Sequence, residues 1–180
     1  MYIPTFYDIS IAMNLKRLII FGSSRSQGDT RKVTDEFIRL TNADLIDLND
    51  YNISFYDYEN RNQDDDFLPV FKRLLGYDQL IFATPVYWYA MSGIMKTFFD
   101  RISDVLTIRK DLGRQLRGKR LMVISCSSDA RQYPCFEMPF ENSADYLGMH
   151  FDGYLHTWLE NGTIPGEVQQ KLAQFANKNR

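Results

Sequence analysis

Short runs of apolar residues alternate along the chain with segments in which apolar residues recur every three or four positions. The short runs predict β-strands that are buried on both faces, and the periodic segments predict amphipathic helices. The predicted strands are Arg17–Phe21, Ala43–Leu48, Leu80–Thr84, Leu121–Ser125 and Gly153–Leu159. The predicted helices are Thr30–Leu40, Asp66–Leu75, Ser92–Val105 and Glu167–Asn177. Residues 126–152 are assigned to neither kind of element.

Strands that alternate with helices predict an α/β fold, with a parallel sheet and helices on both of its faces. Ligands of such sheets bind beyond the carboxyl ends of the strands, near the point where the strand order reverses. The loops after the first, third and fourth predicted strands are therefore the places to look for a functional site.

Composition narrows the class of protein. The 180 residues suffice for one domain with a sizeable core, which we predict for residues 15–180, and residues 1–14 are predicted to form an N-terminal extension. A net charge of −2 argues against nucleic-acid binding. No apolar run approaches the roughly 18 residues of a membrane span, and the N-terminus does not have the features of a secretion signal. Two cysteines make no disulfide framework, so we expect a cytoplasmic protein.

The first loop, Gly22–Thr30, is rich in small and hydroxyl-bearing residues and leads into a predicted helix. The unpaired amides and the dipole of a helix N-terminus attract anions, and Arg25 can place two donors on phosphate oxygens. The loop therefore predicts a phosphate site, although it has neither the triphosphate-binding nor the dinucleotide-binding glycine pattern. The alternative is an ordinary serine-rich connection in which Asp29 or Thr30 caps the helix.

Large aromatic residues follow the third strand. Proline cannot donate to a sheet ladder, so the proline of this segment is predicted to end the strand. A flat heteroaromatic ligand would give the aromatic side chains a stacking partner, and backbone N–H groups there can face the polar edge of such a ring. A core or dimer contact is the alternative. The segment comprises Pro85, Val86, Tyr87, Trp88 and Tyr89, and Ser92 is predicted to cap the helix that follows.

These two segments resemble the motifs of the NADPH-dependent FMN reductases. The sequence GSSRSQGDT is similar to the family's phosphate loop, G-S-x-R-x-x-G-[NS]-T, and TPVYW…MSGIMKTFFDR is similar to its flavin-ring loop and the helix after it. The resemblance extends from about Lys16 to Leu159. It implies a flavodoxin-like fold with strand order 2-1-3-4-5, bound FMN, NAD(P)H as the reductant and, usually, a homodimer that completes the site.

The resemblance also implies roles for individual residues. Ser23, Arg25 and Thr30 would hold the FMN phosphate, with Ser24, Ser26, Gly28 and Asp29 beside them. Pro85, Val86, Tyr87 and Trp88 would line the isoalloxazine ring, and the backbone of the Tyr87–Tyr89 segment would stabilise charge on the reduced ring. Ser127, Ser128 and Asp129, after the fourth strand, would face the other side of the ring or the ribityl chain.

The chain departs from the family pattern in three places. Asp29 stands where the family often has asparagine, and because a carboxylate repels a phosphate, we expect Asp29 to cap the helix with its side chain turned away. The segment between the second strand and the next helix contains no cysteine, which excludes a thiolate-held iron–sulfur cluster there. The loop after the fourth strand does not contain the glycine pair that is often found in the family.

A basic run, two histidines and a cysteine are further candidates for a functional role. The basic run Arg109–Arg120 either attracts the phosphates of NADPH or is a solvated loop, and we favour the second interpretation. His150 and His156 are too few for a metal site and are expected to be a carboxylate partner or a buried neutral ring. Cys126 is expected to be an unreactive buried thiol.

The sequence thus predicts an FMN-dependent oxidoreductase that passes a hydride from NAD(P)H to a small-molecule acceptor, which is a quinone, an azo or nitro compound, or a free flavin. We name no catalytic acid. The alternatives are a flavodoxin-like electron carrier without a substrate of its own, and a module that keeps the fold but binds no flavin. The mild net charge, Arg25 and the aromatic segment argue against the electron carrier.

Overall fold

A computed structural model describes residues 15–177 of the chain, so the predicted N-terminal extension lies outside the described residues. Five parallel strands form one sheet in the order β2-β1-β3-β4-β5. This arrangement confirms the predicted flavodoxin-like fold and its strand order. The strands are β1 (Arg17–Phe21), β2 (Asp44–Asp47), β3 (Gln79–Pro85), β4 (Arg120–Ser127) and β5 (His150–Trp158).

Helices cover both faces of the sheet because successive strand residues point to opposite sides. The helices are α1 (Asp29–Thr41), α2 (Phe67–Leu74), α3 (Gly93–Thr107), α4 (Lys110–Gly113), α5 (Pro134–Leu147) and α6 (Gly166–Asn177), with 3₁₀ turns at Leu48–Asp50 and Arg114–Leu116. Leu18 and Ile20 face one core, which α2, α3 and α5 cover, and Ile19 and Phe21 face the other core, beneath α1 and α6.

Helix α5 occupies a stretch to which the sequence analysis assigned no element. Its buried side chains are Phe136, Phe140, Ala144 and Leu147, whose spacing of four, four and three residues is that of one helix face. Pro139 lies inside the helix and removes one backbone donor, which weakens the helical pattern. The helix ends at Gly148, whose φ of 70° is the left-handed conformation typical of a glycine after a helix.

Strand β5 begins three residues earlier than predicted. The register of the β4–β5 pair shifts so that Leu121 faces Phe151 and Met122 faces Gly153, which leaves Asp152 as an extra residue. Gly153 has a φ of 118°, which is accessible to glycine, and the Asp152 carboxylate accepts hydrogen bonds from Arg120 at 2.6 and 2.7 Å. Because the bulge interrupts the regular pairing of the strand, the sequence pattern did not predict where the strand begins.

The basic run Arg109–Arg120 lies at the amino end of β4. Strand β4 puts about 23 Å between this end and the carboxyl edge of the sheet, at about 3.3 Å per residue. Arg109 pairs with Asp111 and Arg120 pairs with Asp152. This distance and these ion pairs favour the interpretation as a solvated loop over attraction of the NADPH phosphates. In the part of the chain that the structure describes, no helix is long and apolar enough to cross a membrane.

Candidate functional site

A cleft of about 290 Å³ opens at the carboxyl ends of β1, β3 and β4. The three loops singled out in the sequence meet at this cleft, as expected where the strand order reverses. All of the lining residues except Cys126 are among those predicted for the site. They are Ser23, Arg25, Gly28, Asp29, Thr30, Pro85, Val86, Tyr87, Cys126, Ser127 and Ser128.

One end of the cleft can receive an anion. Gly28 is the N-cap of α1 and provides no side-chain cap, and the backbone N–H groups of Asp29 and Thr30 have no acceptor within the described chain. The hydroxyl-bearing side chains of Ser23 and Thr30 are buried against this helix start, only 3% and 4% exposed, whereas Arg25 is exposed. Two free amides, two hydroxyls and one guanidinium form a donor set that fits a phosphate group.

Asp29 does not cap the helix, which corrects the expectation from sequence. It is the first residue of α1, and its carboxylate forms an ion pair with Lys32 at 3.2 Å. Lys32 Nζ also donates to the carbonyl of Gly162 at 3.1 Å. The negative charge that was unexpected in a phosphate loop is therefore balanced by a lysine one turn further along the helix.

Ser92 and Thr84 fix the phosphate loop from the side of β3. The Ser92 hydroxyl accepts the N–H of Met95 at 3.1 Å, which confirms it as the cap of α3, and donates to the carbonyl of Gly22 at 2.7 Å. Its own N–H donates to the Thr84 hydroxyl at 3.0 Å. A Cβ atom at Gly22 would lie 3.0–3.2 Å from Met95, so glycine at this position allows α3 to approach the end of β1 closely.

The aromatic segment forms a tight turn from Tyr87 to Ala90, closed by reciprocal backbone hydrogen bonds of 2.9 and 3.1 Å. Trp88 and Tyr89 at its tip have positive φ angles of 49° and 65°, and their side chains are 94% and 56% exposed. Of the three aromatics only Tyr87 lines the cleft, and its hydroxyl lies 3.0 Å from that of Ser24. Trp88, Tyr89, Ser24 and Ser26 thus stand outside the cleft itself.

The turn also determines which backbone N–H groups of this segment remain free to bind a ligand. The N–H of Val86 donates to Cys126 and that of Tyr87 donates to Ala90, both at 2.9 Å. Of the Tyr87–Tyr89 amides that we expected to face a ligand, only those of Trp88 and Tyr89 have no acceptor in the described chain.

A buried hydrogen-bonded chain supports the loop after β4. His156 is buried, and its Nε2 atom lies 3.0 Å from the carbonyl oxygen of Asp129, which can only accept. Nε2 therefore donates to this carbonyl, and Nδ1 lies 2.8 Å from the Ser125 hydroxyl. Ser125 in turn lies 2.8 Å from the hydroxyl of Tyr154, whose pKa burial raises to about 12. Ser127 Oγ donates to the same Asp129 carbonyl at 2.9 Å.

Comparison with known proteins agrees with this geometry. Residues 15–151 match the profile of the family described as NADPH-dependent FMN reductase. The chain belongs to this family. YwqN of Bacillus subtilis, named as a putative NAD(P)H-dependent FMN-containing oxidoreductase, is 32% identical over an alignment of 165 residues that covers 86% of this chain and 89% of YwqN. The family assignment confirms the resemblance and, with it, an oxidoreductase that uses FMN and NAD(P)H.

Solved structures of other proteins share the fold of this chain. The Trp repressor binding protein from Bacillus subtilis superposes with a TM-score of 0.68 at 27% identity, covering 92% of this chain and 98% of that one. An FMN-dependent NADH-azoreductase from Bacillus anthracis, solved in complex with FMN, superposes with a TM-score of 0.65. It is 13% identical, covers 92% of this chain and 97% of its own, and so supports the fold alone.

Two polar side chains beside this candidate site, Asn49 and Asp47, were not predicted from the sequence. The side-chain amide of Asn49, just after β2, donates to the carbonyl of Ser23 and, at 3.2 Å, to the Ser26 hydroxyl, which turns Ser26 away from the cleft. The Asp47 carboxylate accepts the backbone N–H of Asn49 at 3.0 Å. The polar residues at the carboxyl end of β2 were the available signal. His156 was expected to be a carboxylate partner or a buried neutral ring; it is buried, and its hydrogen-bond partners include the Asp129 carbonyl and the Ser125 hydroxyl rather than a carboxylate.

Cys126 lies between the two ends of the cleft and is buried. Burial raises the pKa of its thiol to about 11, and the negative charge of Asp29 adds to this effect. The thiol therefore remains protonated at neutral pH, which agrees with the expectation of an unreactive side chain.

Proposed function

We propose that the cleft binds FMN and that the protein transfers a hydride from NAD(P)H to a small flat acceptor, namely a quinone, an azo or nitro compound, or a free flavin. One observation carries the proposal: a donor set suited to a phosphate and a wall suited to a flat ring share the same cleft of about 290 Å³. A monophosphate joined to a flat heteroaromatic ring is the chemistry that both ends require.

At the phosphate end, we propose that Ser23, Arg25 and Thr30 contact the phosphate oxygens. Two of these side chains are buried hydroxyls in the cleft wall, and no described carboxylate lies within ion-pair distance of the guanidinium. Gly28 and Asp29 contribute the backbone at the start of α1. Ser24 and Ser26 act indirectly, through their contacts with Tyr87 and Asn49.

At the ring end, the proposed wall consists of Pro85, Val86 and Tyr87, with Ser127 and Ser128 across the cleft from them. The free N–H groups of Trp88 and Tyr89 are the backbone donors available to a polar ring edge. The exposed aromatic side chains of these two residues form the rim, where a donor or an acceptor has to approach.

Bound FMN supplies the chemistry of accepting and returning a hydride. The residues of the chain supply position: Pro85, Ser92 and the His156 hydrogen bonds fix the loops before any ligand arrives, which lowers the entropic cost of orienting the reactants. Cys126, with a pKa near 11, is a poor proton donor at neutral pH. The proton that a quinone acceptor needs is therefore expected from solvent at the open rim.

We further propose that two copies of the chain associate at this rim. The support is the group of exposed aromatic side chains on the loops around the cleft: Phe55, Tyr58, Tyr87, Trp88 and Tyr89. Sedimentation velocity of the FMN-loaded protein tests the dimer, and a monomer at micromolar concentration would contradict it. The cytoplasmic location and the absence of nucleic-acid binding remain predictions.

Fluorescence titration with FMN and with riboflavin tests the cofactor assignment. Binding is followed by the quenching of flavin fluorescence. FMN should bind at least tenfold more tightly than riboflavin, since only FMN carries the phosphate and a charge-assisted hydrogen bond contributes about 1.5–3 kcal/mol. Equal affinities would show that the protein does not contact the phosphate of FMN. If neither flavin binds, both the oxidoreductase and the electron-carrier functions are contradicted.

NAD(P)H oxidation by the FMN-loaded protein tests the reaction. We expect turnover that depends on added menadione, an azo dye, a nitroaromatic compound or FMN, with the preferred acceptor identified by its kcat/KM. Reduction of bound FMN by a partner flavoprotein, without turnover by any of these acceptors, would identify an electron carrier instead.

A further inference from the structure

A second arginine, Arg131, lies on the loop after β4, close in sequence to a residue of the cleft wall. Arg131 is exposed and follows the cleft-lining residue Ser128 by three positions. Its guanidinium lies over the ring of Tyr133, 5.2 Å from the centroid. Tyr133 in turn meets Tyr89 edge-to-face, with 4.9 Å between ring centroids. Arg131, Tyr133 and Tyr89 thus connect the loop after β4 with the aromatic turn.

The backbone that carries Arg131 is anchored to the sheet. The N–H of Arg131 donates to the Asp129 carboxylate at 2.9 Å, and the N–H of Asp129 donates to the Ser127 hydroxyl at 3.3 Å. The Asp129 carbonyl accepts from buried His156 at 3.0 Å. The guanidinium is therefore held by ring stacking and by a fixed loop, a preorganised arrangement that lowers the cost of binding an anion.

The charge of Arg131 is not used elsewhere. It takes part in none of the ion pairs found among residues 15–177, whereas the nearby cations Arg31 and Lys32 pair with Asp35 and Asp29. Arg25 is the other cleft cation without a carboxylate partner in the described chain, and its proposed ligand is the FMN phosphate. A planar guanidinium that is stacked and not neutralised is well suited to a second phosphate.

We propose that Arg131 binds a phosphate group of the nicotinamide dinucleotide, so that the donor's tail crosses the rim over Tyr89 and Tyr133. The inference rests on the proposed function. Tyr87 and Ser128 line the part of the cleft that is proposed to hold the flavin ring. A nicotinamide ring stacked on that flavin at the open rim has its phosphates a few bonds away. Arg131 follows Ser128 by three positions and takes part in no ion pair among the described residues. Arg131 then determines affinity for the donor and takes no part in holding FMN.

The test compares donors that differ only in phosphate content. Reduction of bound FMN is measured anaerobically in the wild type and in Arg131→Ala with NADPH, with NADH and with N-benzyl-dihydronicotinamide, which carries no phosphate. We expect Arg131→Ala to lower the second-order rate constant of flavin reduction by a dinucleotide about tenfold or more, while the phosphate-free donor reacts as before. Arg131→Lys, which keeps the charge but not the planar fork, should recover part of the loss.

Arg114→Ala is the matched control, because this exposed arginine lies at the opposite end of the sheet. A loss with NADPH alone supports contact with the 2′-phosphate, and an equal loss with NADH supports contact with the pyrophosphate. An unchanged rate constant of flavin reduction for both dinucleotides, or an equal loss with the phosphate-free donor, overturns the inference. A wild-type protein that binds no FMN, or whose bound FMN none of the three donors reduces, contradicts the proposed function instead.

Discussion

Arg25 is the cation of the phosphate loop, and its charge is not neutralised by any described carboxylate. Arg25→Ala is expected to raise the Kd for FMN about ten- to a hundredfold, because a charge-assisted contact is lost. The Kd for riboflavin should stay unchanged, since riboflavin has no phosphate to lose. Fluorescence titration measures both constants, and Arg25→Lys is the control that keeps the charge. An unchanged FMN affinity would show that the guanidinium does not contact the phosphate.

Trp88 and Tyr89 occupy the two central positions of a turn that asparagine and glycine favour. Their φ angles of 49° and 65° cost L-residues other than asparagine about 1–2 kcal/mol each. The double substitution Trp88→Asn with Tyr89→Gly should therefore raise the free energy of unfolding by about 1–2 kcal/mol, measured by urea denaturation of the FMN-free protein. The rate of acceptor turnover should fall, since the aromatic rim is lost.

The matched control for the turn is Tyr58→Gly, which removes an equally exposed aromatic side chain at a position where φ is not positive. It should not stabilise the protein. A double variant that is no more stable than the wild type would show that the turn stores no strain.

Strand β5 holds the loop after β4 in place through the side chain of His156. In His156→Phe, of similar volume, the Asp129 carbonyl and the Ser125 hydroxyl each lose one of their hydrogen-bond partners. We expect weaker FMN binding, by about tenfold, because the loop carrying Ser127 and Ser128 is no longer fixed. Titration of flavin fluorescence measures this effect.

Thr41→Val provides the comparison for His156, since it removes a hydrogen bond to the carbonyl of Phe37 at the far end of α1. It should lower stability without changing the affinity for FMN. Equal FMN affinity in His156→Phe and wild type would mean that the buried chain has only a folding role.

A buried arginine joins the long loop after β2 to helix α3. Arg101 is fully buried, and its guanidinium forms ion pairs with Asp65 and Asp104 and lies 4.8 Å from the ring centroid of Phe67. It also donates to the carbonyl of Ser54 at 3.0 Å. These contacts fix the loop that carries the exposed aromatics Phe55 and Tyr58.

This ion pair makes stability depend on pH. Burial alone would raise the pKa of Asp65, but hydrogen bonds from Arg101 and from the N–H groups of Ser54 and Phe67 lower it below its ordinary value of 3.8. The unfolded chain therefore binds the proton first, so the contribution is present above pH 3.8 and is lost as the pH falls below it.

Asp65→Asn should accordingly be less stable than the wild type by about 1–3 kcal/mol at neutral pH. The difference should shrink as the pH is lowered through the ordinary range of aspartate. Urea denaturation between about pH 6 and about pH 3 measures it. A difference that is constant over this range would contradict the role assigned to the Asp65 charge.

The architecture of the whole molecule could be predicted because the two patterns that indicate it, apolar strand runs and contiguous loop motifs, are local in the sequence. Apolar runs such as Arg17–Phe21 mark buried strands, and the segments before α1 and α3 carry their site residues in contiguous order. The order of the strands then brings those loops to one edge of the sheet. Fold, family and the composition of the cleft therefore follow from short stretches of sequence.

What the sequence did not predict are contacts between distant residues. Asn49 supports Ser23 from 26 positions away, and His156 supports Asp129 from 27 positions away. Partners at such distances are decided by packing, which no local pattern encodes. Helix α5 was missed for a different reason, since Pro139 interrupts a helix whose apolar face is otherwise regular.

The central claim is that this cleft holds FMN in a position to receive a hydride from NAD(P)H. Anaerobic mixing of the FMN-loaded protein with NADPH tests it most directly. The account predicts rapid loss of the blue absorbance band of the flavin, with one NADPH consumed per FMN, and recovery of the band when a quinone is added. A flavin that remains oxidised in the presence of excess NADPH and NADH would contradict it.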